Sequence, residues 1–127
     1  MESAARFALL SGSITMLFAV VLGAFGAHGL KSRLAPELMA AYKTGVEYQV
    51  YHALGLLLLG ILIQQFPAAN GLKYASWLML IGIVLFSGSL YTLALSGLRP
   101  LGMVTPLGGL AFILAWALLT WSLLRTS

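Results

Sequence analysis

The chain has 127 residues, of which only 8% are charged: seven Lys or Arg and three Asp or Glu, for a net charge of +4. A soluble domain carries about a quarter charged residues, so a soluble globular fold is excluded and no length remains for a separate catalytic domain. Cysteine is absent, which excludes disulfides, thiol nucleophiles and iron–sulfur ligation.

The charges leave four uncharged windows, Phe7–Leu30, Tyr48–Leu72, Tyr74–Leu98 and Pro100–Leu124. A hydrocarbon layer of about 30 Å takes about 20 helical residues to cross, and each window is long enough. In lipid only a helix or a closed barrel satisfies the backbone, and the windows lack the alternation of barrel strands. The sequence therefore predicts an all-α membrane protein, a single domain over residues 1–127 built as an antiparallel bundle of four transmembrane helices at about 5–27, 36–66, 74–96 and 106–124.

In the first segment, Glu2 and Arg6 resemble the charged start of a secretory signal. The apolar stretch exceeds the roughly 7–15 residues of such a signal, so it is taken as a retained first span that Gly26, His28 and Gly29 end. The one long connection follows. Pro36 suits a first helical turn, where its missing N–H costs nothing, and Glu37 suits the positive end of the helix dipole. The second helix is either one long rod reaching out of the bilayer or a rod kinked near Gly45, with an interfacial piece before it. Pro67 and Asn70-Gly71 signal a turn before the third helix. Gly97, Arg99, Pro100 and Gly102 form a tight third connection, and Thr105-Pro106 has the form of an N-cap followed by a first-turn proline. Trp77 and Trp121 fall at helix ends on one membrane face, as an aromatic belt requires.

Four motifs occur in order: Gly23-Ala-Phe-Gly-Ala-His-Gly-Leu-Lys31, Tyr48-Gln-Val-Tyr-His-Ala-Leu54, Phe86-Ser-Gly-Ser-Leu-Tyr91 and Leu101-Gly-Met-Val-Thr-Pro-Leu-Gly-Gly109. Together they resemble the YgdD-like small membrane proteins, the family of domain of unknown function 423, over essentially the whole chain. The resemblance implies a four-helix integral protein of bacterial inner membranes, with relatives in mitochondria. It carries over no catalytic residue.

Two groups of residues are candidates for more than spanning. Ser11, Thr15, Ala19, Gly23 and Ala27 recur at i+4 on the first helix, and Gly88, Thr92 and Ser96 do so on the third. Such ridges let backbones approach closely, within the bundle or between copies. The second group is a polar cluster of Glu47, Tyr48, Tyr51 and His52, with His28 opposite. If the first helix ends at the level where the second span begins, His28 and His52 lie within about 12 Å, given roughly 8–10 Å between packed helix axes. Two His and a carboxylate suit a metal, a proton relay or a lipid headgroup. A hydrogen-bonded structural cluster needs the same residues, and the metal assignment stays open.

Three functions fit: an accessory or scaffolding protein binding membrane partners or lipids, a small oligomeric transporter or channel, or a membrane enzyme or metal site using His28, Glu47 and His52. Carriers usually place a charge at mid-membrane, and the four windows hold none, which favours the first. The expected partners are membrane lipids and a homo-oligomer or larger membrane complex. The basic residues are dispersed at helix ends, so no nucleic acid is expected; nor is a cofactor. Arg6, Lys73 and Arg125 face one side and Lys31, Arg33, Lys43 and Arg99 the other, so charge does not set orientation. Four spans place both termini on one side.

Overall fold

The structure, a computed structural model, describes residues 1–126, except for the side chain of Ala27. Among the described residues, four helices are long and apolar enough to cross a membrane. They are α1 (Ser3–Leu30), α2 (Pro36–Gln65), α3 (Asn70–Ser96) and α4 (Thr105–Leu124), the last preceded by a 3₁₀ turn over Arg99–Met103. Pro36 and Glu37 occupy the first turn of α2, which then runs unbroken past Gly45. Gly97 closes α3 with a left-handed φ of 72°, a conformation glycine adopts without steric cost.

The ends differ from the sequence expectation in three places. Gly26, His28 and Gly29 do not stop α1. It widens into a π-helical turn at Leu22–Gly26 and continues to Leu30. Asn70-Gly71 is the first turn of α3 rather than a link before it. Thr105 does not cap α4, because its hydroxyl is hydrogen-bonded to Ser89 Oγ of α3 at 2.6 Å. A second π-helical turn, Ile83–Ser87, interrupts α3.

The helices pack as two antiparallel pairs, α1 on α2 and α4 on α3, with α2 lying also against α3. Small residues set the closest approaches. On α1 the buried face is Ala5, Ala8, Gly12 and Ala19. A Cβ at Gly12 would stand 3.0 Å from Ala53 O, Leu56 Cβ and Leu57 N of α2. Between α3 and α4, a Cβ at Gly108 would stand 2.4 Å from the Phe86 backbone nitrogen. This is small-residue packing of the kind that brings transmembrane helices together without a hydrophobic driving force.

The bundle has two unlike halves. Toward the termini, Leu56, Leu59, Ile63, Leu72 and Met79 are fully buried in an apolar core with Ala5, Ala8, Phe112 and Ala115. Lys73 pairs there with Glu2 at 2.9 Å, and the Glu2 N–H donates to Gln64 Oε1, tying the chain start to α2 and α3. Toward the connections, polar side chains replace the apolar core. At that end Arg99 meets Glu37 at 3.5 Å with both side chains mostly exposed, a pair worth about 0–1 kcal/mol.

Candidate functional site

The interior polar set begins with Gln49 of α2, only 4% exposed. A buried amide in an apolar span must find partners. Gln49 Nε2 donates to Thr15 O of α1 at 2.7 Å, and its Oε1 accepts from Tyr91 of α3 at 2.6 Å. Ser87 Oγ, in the π-turn of α3, donates to Gly45 O of α2 at 2.6 Å. Tyr42 donates to Leu22 O at 2.5 Å, at the start of the π-turn of α1. Gly26 makes room for that hydroxyl, since a Cβ there would fall 1.9 Å from it. The Tyr42 and Tyr91 rings meet at 5.5 Å. One layer of side chains thus joins α1, α2 and α3, and two of its bonds fall at π-turns, where one added residue loosens the helical ladder.

The second set surrounds His52, which is 5% exposed. Its ring lies on Phe112 of α4 with centroids 3.5 Å apart. Indole Nε1 carries only a donor, so Trp116 donates to His52 Nε2 at 3.0 Å; the other nitrogen, Nδ1, then carries the proton and donates to Tyr48 O at 2.8 Å. Partner chemistry therefore assigns a neutral ring with both nitrogens engaged. Tyr48 stacks against Phe86 at 4.5 Å. These aromatic side chains line a groove of about 560 Å³ that opens beside α4.

The structure keeps four of the five cluster residues in contact, with the Tyr48 ring 5.7 Å from that of Tyr51 and 6.2 Å from that of His52, and separates His28 from them. Gly26 lies against Tyr42, and Gly12 lies against Ala53. The end of α1 is therefore level with Tyr42, and His52 is about 15 Å further along α2 at 1.5 Å rise per residue. The premise that α1 ends where the second span begins fails, because α2 starts well before that level. His28 is exposed and bonds its own helix, Nδ1 to Ala24 O at 3.0 Å. Glu47 is exposed and accepts from the Tyr51 hydroxyl, one turn along the outer face of α2. Tyr48 joins the aromatic groove. Among the described residues no three His, Cys, Asp or Glu come close enough to hold a metal.

The ridge residues are distributed likewise. Ala19 is buried, Ser11, Thr15 and Gly23 are half-buried, and the Ala27 side chain lies outside the described residues. A strict i+4 series drifts by about 40° per step around a helix of 3.6 residues per turn, so it spirals off a face that Ala5, Ala8 and Gly12 keep by alternating steps of three and four. On α3, Gly88 has open space beside it, and Thr92 and Ser96 are exposed. The face of α3 that packs inward carries Ile83, Ser87, Leu90 and Ala94. Sequence reasoning passed over Gln49, Tyr42, Tyr91 and Trp116. An amide just inside the start of an apolar window was a usable signal for the first.

Fold and interior define a multi-pass helical membrane protein with a hydrogen-bonded layer across three of its helices. Comparison with known proteins gives the family. The family model described as a protein of unknown function (DUF423) matches residues 22–109. The UPF0382 membrane protein YwdK of Bacillus subtilis is 46% identical over 111 residues, covering 87% of this chain and 90% of the relative. A UPF0382 membrane protein of Staphylococcus epidermidis is 44% identical over 92% of this chain and 94% of its own. The UPF0382 inner membrane protein YgdD of Escherichia coli is 43% identical over 90% of this chain and 86% of its own. The chain belongs to this DUF423, or UPF0382, family and is a multi-pass protein of the bacterial inner membrane. No solved structure matches it.

Proposed function

We propose that this protein is an accessory or scaffolding component of the membrane that binds lipids or partner proteins. The observation that carries the reading is the filled interior. Leu56, Leu59, Ile63, Leu72 and Met79 close the terminal half, and Gln49, Tyr91 and Ser87 close the other by bonding to neighbouring helices. A carrier requires a wet route with polar or charged groups along it. Here Gln49, Ser87 and His52 are engaged with the protein itself, and Lys43 and Glu47 of α2 lie on its exposed face. His52 has no free nitrogen for a substrate or a metal, which argues against an enzyme built on it. The wide apolar outer faces, such as Leu10, Leu17, Phe18 and Val21 on α1, suit lipid or another helix, as a homo-oligomer or a larger complex requires.

The test pairs two measurements. Native purification in mild detergent, with mass spectrometry of intact particles, should recover the chain with stoichiometric lipid or protein. Proteoliposomes containing it should show no ion or solute flux above empty vesicles. Reproducible flux that scales with protein content would overturn the reading in favour of an oligomeric transporter.

A further inference from the structure

At the end of the bundle that carries both termini, a groove of about 750 Å³ opens between the first turn of α3 and the last turn of α4. Its polar wall is Asn70, Gly71, Ser122 and Arg125. Ser122 is only 6% exposed, and its hydroxyl makes no hydrogen bond among the described residues. A Cβ on Gly71 would fall 2.1 Å from Ser122 Oγ, so the hydroxyl lies directly against the start of α3. That start has Ala69 at the capping position and no side-chain cap. The Gly71 N–H has no backbone acceptor there, whereas Asn70 and Leu72 bond back to Ala68 and Ala69. An uncapped N-terminus attracts anions through free N–H groups and the helix dipole. The C-terminal end of α4 also borders the groove, with the Ser122 and Leu123 carbonyls accepting from Arg125 N and Thr126 N, so the counter-charge for an anion must come from a cationic side chain.

Among the described residues, Arg125 is the charged side chain that lines the groove. The Arg125 guanidinium stands 5.7 Å over the Trp121 ring, at the rim. Lys73, nearby in sequence, is committed to Glu2. Around the polar wall, Tyr74 and Trp121 are mostly exposed, as interfacial aromatics are, and Phe66 and Leu118 extend the lining with apolar surface. A groove of this size is larger than an inorganic anion needs and falls in the range of about 300–1,000 Å³ typical of small-molecule sites.

We propose that this groove binds the phosphodiester of an anionic phospholipid. Ser122 Oγ–H and Gly71 N–H donate to the phosphate oxygens, Arg125 supplies the counter-charge, and an acyl chain follows Leu118 and Phe66. The site rests on the reading of the chain as a lipid or partner binder and gives that reading a ligand class.

The experiment is a titration of the full-length protein in mild detergent, read by native mass spectrometry, with phosphatidylglycerol, phosphatidylcholine and inorganic phosphate as probes. Phosphatidylglycerol should bind about tenfold more tightly than phosphatidylcholine, the ratio expected of one charge-assisted contact worth about 1.4 kcal/mol. Arg125→Gln should nearly abolish that preference, and Ser122→Ala should weaken the binding of both lipids, because both carry the phosphodiester to which its hydroxyl donates. Both should melt close to wild type, since Arg125 is exposed and Ser122→Ala only removes an unbonded hydroxyl. Arg6→Gln removes an equal, exposed charge from the same face outside the groove and should leave the preference intact. Equal losses from Arg6→Gln and Arg125→Gln would overturn the site in favour of diffuse surface charge. Displacement of phosphatidylglycerol by millimolar inorganic phosphate would overturn the lipid as its occupant. Either result leaves the broader reading standing if other lipids or proteins still co-purify, so the two failures are distinguishable.

Discussion

Adding one methyl group at Gly108 should separate α4 from α3, whereas the same change at Gly88 should be harmless. At Gly108 the new Cβ would stand 2.4 Å from the Phe86 nitrogen, 2.7 Å from its Cα and 2.7 Å from its Cβ. Two of these are backbone atoms and cannot swing aside. Ordinary contact begins near 3.4 Å, so the helices must part by about 1 Å. That displacement opens the packing around Ala111, Phe112 and Ala115, and core overpacking of this kind costs about 1–3 kcal/mol. At Gly88 nothing lies within 4 Å, and replacing a mid-helix glycine by alanine favours the helix by up to about 1 kcal/mol. In a detergent melting assay, Gly108→Ala should unfold several degrees below wild type. Gly88→Ala should unfold at or above it. Equal melting temperatures for the two variants would refute the close crossing at Gly108 and Phe86.

The hydrogen-bonded layer and the topology give three further expectations. Tyr91→Phe should cost about 0.6 kcal/mol, the average for hydrogen bonds between membrane helices, and at most about 1.7 kcal/mol. Gln49→Leu should cost more, about 1–3 kcal/mol, because it leaves the Tyr91 hydroxyl buried without an acceptor. A double-mutant cycle in denaturant that shows the two effects simply additive would contradict the shared bond. His52→Ala removes the surface stacked on Phe112 and the acceptor of Trp116, and should lower stability by about 2–4 kcal/mol, with or without added zinc. Stabilisation of the wild type by zinc that His52→Ala abolishes would show the ring to be a ligand instead. Reporter fusions at the two ends should report the same side of the membrane, and opposite sides would sink the four-span topology.

The spans were legible because charges are excluded from hydrocarbon, and Lys31, Lys73 and Arg99 therefore mark where helices meet water. Pro36 likewise marked the start of α2, since a proline is free of cost only in a first turn. What the sequence hid was depth. The level of His52 depends on which residue of α1 meets which residue of α2, and that register is fixed by Gly12 against Ala53 and Leu56. No local pattern encodes such a pairing. The π-turns were hidden for a related reason. They are held by Tyr42 on Leu22 O and by Ser87 on Gly45 O, contacts between residues far apart in the chain. Glycine and histidine near the end of α1 looked like a stop, yet in lipid a helix that ends early exposes its backbone, and widening a turn costs less.

The claim of a closed interior is tested most directly by thiol accessibility in native membranes, which the absence of cysteine makes clean. Ser87 is fully buried and Ser76 is 1% exposed, and cysteine replaces serine at either position with little change of volume. Ser32→Cys, on the exposed connection between α1 and α2, serves as the accessible reference. With a membrane-impermeant maleimide applied to either face, Ser76→Cys and Ser87→Cys should be labelled only after denaturation in SDS. Labelling of either in folded membranes at a rate approaching that of Ser32→Cys would reveal a water path through the bundle and contradict the closed interior.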